Sequence, residues 1–281
     1  MNTTIISDNT LVTVVGDDSS LIKPYEELTI ADDFVFGKIF QDKVLFKKLL
    51  EILLHIDPAT EIAEPIAQKS FRVGPDRKKI ATDVASYSST AEYDAEMQQQ
   101  VHKDLPRRSR YYQAAMDVQF LQRSFEYTQL KENFVLFICL RDPFGRGLPV
   151  YTFRNTSKED TSVLLGDGTT KIFYNAKDYA KLDDVEAKSF MEYVGTKQAT
   201  SSYTATLDDQ VIGLRKNPLW RKEYLDAMQN ELLQKHDLEA AEQRGINRRT
   251  LEIARNLKQA GSDIAFIAQI TGLSESAIMG L

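Results

Sequence analysis

Cysteine is nearly absent from this chain: Cys139 stands alone, which excludes an intrachain disulfide framework. Three scattered histidines, His55, His102 and His236, exclude a zinc cluster of the Cys/His kind. No apolar run approaches the roughly 18 residues that a membrane-spanning helix needs. A positive excess is missing too, since 35 Lys and Arg against 41 Asp and Glu give a net charge of −6, so any contact with nucleic acid must be local. Residues 1 to 18 lack the basic start and apolar stretch of a secretory signal, and the expectation is a cytoplasmic protein without a membrane anchor. What is present, 42% hydrophobic and 27% charged residues over 281 positions, suits one large globular domain with a smaller appendage.

The pattern along the chain divides it into an N-terminal arm at 1–24, a domain at 25–210 and a helical region at 211–281. Between Asp32 and Ile56, apolar residues from Phe34 to Leu54 recur every three or four positions, which predicts one or two amphipathic helices ending before Pro58. Strand-like runs follow at 69–73, 79–87 and 92–99, with a fourth at 133–140. A helix opening near Leu105-Pro106 separates the third from the fourth, and further strands are expected at 149–153 and 170–175. The tail reads as a helix from 217 to 243 stopped by Gly245. Shorter helices at 250–260, 264–270 and 273–278 then pack like a helix-turn-helix, with Ser262 and Ser274 as caps. The fold class is therefore α/β, a sheet flanked by helices with a small all-α region at the C-terminus.

The segment with chemical content is Ile80-Ala81-Thr82-Asp83-Val84-Ala85-Ser86 together with Glu92-Tyr93-Asp94-Ala95-Glu96-Met97-Gln98. Read as a hairpin with Ser89-Thr90 as its two-residue loop, it opposes Ser88 to Ala91, and each step outward then brings Asp83 opposite Glu96. Like charges placed there repel, and a hard divalent cation with oxygen ligands would offset them; magnesium is the natural candidate. Gln98 lies on the same face and can hydrogen-bond a water, yet it cannot supply positive charge. The same alternation also fits a half-buried strand whose acids form a solvated face. Residues 69 to 123 hold ten Lys or Arg against seven acids, a local charge of +3. Arg107, Arg108 and Arg110 fall near the first turn of the helix after Glu96, where phosphate is favoured, although each also fits a solvated basic face.

Taken in order, Asp32-Asp33-Phe34-Val35-Phe36-Gly37-Lys38-Ile39-Phe40, Thr82-Asp83-Val84, Tyr93-Asp94-Ala95-Glu96-Met97-Gln98 and Arg107-Arg108-Ser109-Arg110-Tyr111-Tyr112 resemble the recombination-promoting nuclease and transposase family of the PD-(D/E)XK phosphodiesterase superfamily. Later stretches from Gly147 to Phe153, Gly166 to Phe173 and Ile267 to Ser274 are similar to that family as well. The resemblance implies a restriction-endonuclease-like core and magnesium-dependent DNA cleavage, with manganese as a substitute ion. It makes Asp83 and Glu96 the motif acids and metal ligands and puts Gln98 at the motif's lysine position. It also offers Asp33 as a further ligand, though an acid at a helix start fits the dipole equally well. Lys79 or Lys103 would replace the missing lysine, and these two with Arg107, Arg108 and Arg110 form the expected DNA contacts.

On this reading the protein is a DNA endonuclease whose breaks promote recombination or mobile-element activity, and paired cuts in duplex DNA would suit a homodimer. A phage-defence nuclease would share the same chemistry. The alternative from another class is a non-catalytic DNA-binding protein acting through the C-terminal helix-turn-helix, where Arg248, Arg249, Arg255 and Lys258 supply some basic character.

Overall fold

The computed structural model describes residues 3–7, 10–14, 22–71, 80–121 and 126–281. The chain divides into two compact units, one of residues 17–220 and the other of 1–16 with 221–281. Among the described residues no helix is long and apolar enough to cross a membrane.

In the second unit β1 (Thr3–Ser7) and β2 (Thr10–Val14) pair as an antiparallel hairpin with Ile6 opposite Leu11, so the short apolar patch of the arm is a strand. The same unit contains most of α6 (Pro218–Gln259), followed by α7 (Ile264–Thr271) and α8 (Glu275–Met279). Gly245 does not stop the helix as its position suggested. One glycine costs a helix interior about 1 kcal/mol, which the flanking run of good helix formers absorbs, and α6 continues for 42 residues. Gly261 and Gly272 do end helices, at φ of 78° and 71°. Asp263, rather than Ser262, caps α7 by accepting from the amides of Ala265 and Phe266, while Ser274 caps α8. Ala254, Ile267 and Ile278 form the small core of this end.

The larger unit is α/β. It opens with α1 (Asp33–Ile39) and α2 (Lys43–Leu54), the latter capped by Asp42, and both end before Pro58 as the periodicity predicts. Then come β3 (Ile66–Phe71), β4 (Ile80–Tyr87), β5 (Ala91–Gln98), α3 (Leu105–Phe120), β6 (Glu132–Cys139), β7 (Val150–Phe153) and β8 (Thr169–Asn175). The first strand begins three residues earlier than expected. Two helices for which the sequence analysis gives no expectation close the unit: α4 (Val185–Thr196), capped by Asp184, and α5 (Ser202–Arg215), opened by a Ser201/Thr204 capping box.

The six strands make one mixed sheet in the order β3-β4-β5-β6-β8-β7. β3, β4 and β5 are antiparallel neighbours, β5, β6 and β8 are parallel, and β7 returns antiparallel along the edge. Helix α3 carries the chain from β5 to the parallel β6 and covers one face, where Tyr112, Ala115 and Met116 pack on Val135, Phe137 and Cys139. On the other face Tyr174 of β8 donates to the Leu53 carbonyl of α2, and Gly37 of α1 lies so close to β3 and β4 that an added Cβ would sit 3.6 Å from that of Ala67. Helices on both faces make β5 and β6 interior strands.

Candidate active site

The hairpin of β4 and β5 has the register its turn dictates. Ser88 N–H donates to Ala91 O at 2.8 Å, and pairs run from Tyr87 opposite Glu92 to Val84 opposite Ala95. One step further out, two carboxylates take over from the backbone ladder. Asp83 N–H donates to Glu96 Oε1 at 2.8 Å, and Met97 N–H donates to Asp83 Oδ2 at 2.7 Å. Each acid thus caps an amide of the partner strand, which fixes both side chains on one face and leaves each with a second oxygen for a ligand.

The strand that carries Glu96 is sealed on both faces. Asp94, Glu96 and Gln98 are 1%, 3% and 8% exposed, so the reading of these residues as a solvated polar face is overturned. Its error lies in strand order: alternation marks a half-buried strand only when one face meets water, and β5 lies inside the sheet beneath α3. Burial and charge repulsion show in the acidities. Burial first, and the Asp33 charge second, push the Asp83 carboxyl up to about 7, against the pull of the Met97 amide and Arg108. Glu96 is raised well above the usual carboxylate range by burial, then by Asp94 and by Asp83. Two acids that cannot comfortably ionise together hold a proton near neutrality or call for a cation.

Part of that cation is supplied by α3, which starts beyond the carboxyl end of β5. Arg108 donates through Nη1 to Gln98 Oε1 at 2.9 Å and through Nη2 to the Tyr112 hydroxyl at 3.1 Å. Its Nη2 lies 3.8 Å from Glu96 Oε2, and the guanidinium sits 5.5 Å from the Tyr112 ring centre. Gln98, at the position where the resemblance expects a lysine, therefore uses its carbonyl oxygen to hold an arginine. Tyr112 is drawn in as well, its hydroxyl pushed up to about 12 by burial and by Glu96.

The other expected residues fall in different places. Asp33 is the exposed first residue of α1, and its charge is felt at Asp83. Its neighbour Asp32, to which the sequence analysis gives no site role, is buried and accepts from Thr29 N, Thr29 Oγ1, Lys23 Nζ and Gln99 Nε2, tying the start of α1 to the end of β5. Lys103, Arg107 and Arg110 are exposed at the start of α3, and Lys79 lies outside the described residues. Asp94, the third acid on the β5 face, was also missed as a contributor; its signal is the Asp94-Ala95-Glu96-Met97-Gln98 alternation itself.

Among the described residues no three His, Cys, Asp or Glu side chains are gathered as a metal cage. The donor set at Asp83 and Glu96 fits magnesium nonetheless, because this ion is commonly held by one or two carboxylates plus water and substrate phosphate. No family model, curated protein or solved structure matches the chain. What the site can do follows from its own residues.

Proposed function

We propose that this protein is a magnesium-dependent DNA endonuclease with a restriction-endonuclease-like core, whose breaks serve DNA recombination. The observation that carries the reading is the Asp83/Glu96 pair, Glu96 buried and Asp83 half-buried, held by reciprocal bonds to the partner strand's amides. A helix, three antiparallel strands, a crossover helix and a parallel strand around that pair support it.

Asp83 and Glu96 would hold the ion, which when bound polarises a phosphodiester oxygen and lowers the pKa of its water. The chain's own residues do the rest. The reciprocal amide bonds hold the two acids in place before substrate arrives, so little reorganisation is left for the reaction. Arg108, fixed by Gln98 and Tyr112, offers a guanidinium edge beside Glu96 that suits a phosphate oxygen. The exposed Lys103, Arg107 and Arg110 extend this positive character along the start of α3, where backbone position and charge both favour the DNA backbone.

The test is conversion of supercoiled plasmid to nicked or linear forms. Cleavage is expected with magnesium, none with chelator, and a loss in Asp83→Ala and in Glu96→Ala exceeding the roughly 100-fold that removal of an outer partner costs. Cutting at the wild-type rate by both variants would end the proposal.

A further inference from the structure

A cavity flanks the same helix at the β7–β8 edge of the sheet. It measures about 250 Å3 and lies between α3, at Pro106 and Ser109, and the β7–β8 edge. That is below the roughly 300–1,000 Å3 of sites for drug-sized ligands, so it has room for one flat ring system and little more. Its apolar wall is built of Phe144, Phe153 and Phe173, with Phe144 and Phe153 each edge to face with Phe173 and tilted to one another, ring centres 5.1–5.7 Å apart. Phe153 is 46% exposed, which leaves part of its ring open to a stacking partner. Arg154 and Lys171 bring two cations to the lining and, among the described residues, no acid lines it, although Asp167 and Asp117 lie near enough to act on Lys171. Lys171 is steadied by donating to Gln113 Oε1 of α3.

The register sets this cavity against the acid pair. Glu96 is level with Phe137, and Phe137 with Phe173. Phe173 therefore stands two strands from Glu96 on the same face, roughly 10 Å away at the usual strand spacing. A strand of DNA whose phosphate lies at the acids would bring one of its bases to this distance within a few nucleotides. Paired bases are stacked and their ring faces closed to protein, so an aromatic slot of this size is of use only for a base outside a duplex.

We infer that the cavity between α3 and the β7–β8 edge receives an unpaired nucleobase, stacked on Phe153 with its flanking phosphates on Arg154 and Lys171, so that the preferred substrate is single-stranded or locally opened DNA. The inference rests on the nuclease reading for its choice of DNA as the source of the base.

Fluorescence anisotropy in chelator, where nothing is cut, tests it with a labelled single-stranded oligothymidylate and the same strand made abasic. The wild type should bind the base-bearing strand about tenfold tighter, the ratio expected for one stacked base. Phe153→Ala should erase that preference while keeping the affinity for the abasic strand. Phe153→Trp should retain it. If Phe153→Ala loses both strands through misfolding, Phe153→Leu decides, since it keeps apolar bulk without a ring: a vanished preference supports the inference and a retained one overturns it. Equal wild-type affinity for the two strands overturns it outright. Because Asp83→Ala should show the full base preference, a protein that prefers the base-bearing strand yet cuts no plasmid would discard the nuclease reading and leave the pocket standing.

Discussion

β5 and β6 lie side by side, parallel and equally shielded from water, yet they are built from opposite materials. β6 fills its place with Phe134, Val135, Leu136, Phe137 and Ile138, the near-continuous apolar run expected of an interior parallel strand. β5 puts Asp94, Glu96 and Gln98 into the same layer under α3. Burial rewards the first strand and penalises the second, so the acids of β5 are not explained by stability. A cost of this kind persists where the buried charge has a task.

Substitutions on β6 and at the acid pair that β5 shares with β4 should show this difference as a change of sign. The largest effect is expected from Phe137→Ala on β6, which removes a ring stacked on Phe173 at 5.1 Å. It should lower unfolding stability by about 3–5 kcal/mol, a fall in Tm of roughly 10 °C or more by calorimetry. Asp83→Asn, opposite Glu96, should do the reverse in the metal-free protein. Asp83 titrates near 3.8 when unfolded and near 7 when folded. Between those values the folded state retains a proton that the unfolded state has lost, so wild-type stability falls as pH rises through the window and levels off above it. The variant escapes this fall. Its advantage should be absent near pH 4 and reach about 2–4 kcal/mol above pH 7, read from urea unfolding at each pH.

Arg108→Ala sharpens the contrast by removing the cation beside the β5 acids. Cleavage should drop about 10- to 100-fold, and the acidic limb of its pH profile should move upward, because Arg108 lowers the pKa of both Asp83 and Glu96. Arg108→Lys should not restore it, since an ammonium lacks the fork that spans Gln98 and Tyr112. The smallest effect belongs to Arg107→Ala, one turn position away and exposed. It should weaken DNA binding uniformly across sequences and reduce the slope of log affinity against log salt by about one.

Local rules made part of this site readable in the sequence. A two-residue turn at Ser89-Thr90 fixes which residues oppose one another, so the pairing of Asp83 with Glu96 follows from counting. The helices that open the larger unit announce themselves through periodicity, whereas α4 and α5, which close it, carry good caps at Asp184 and Ser201 that went unused. Strand order is another matter. The parallel pairing of β6 with β5 is a long-range choice, and together with α3 above the sheet it places β5 in the interior and decides the exposure of its acids. The link from Gln98 to Arg108 likewise depends on how α3 docks, which no spacing between positions 98 and 108 reveals.

Calorimetric titration with manganese addresses the pair most directly. One ion per chain should bind, with proton release near pH 6, where Asp83 and Glu96 still retain protons that the ion displaces. Asp83→Asn and Glu96→Gln should each abolish that binding while the fold persists. Unchanged stoichiometry and affinity in both variants would contradict a cation shared by the two acids.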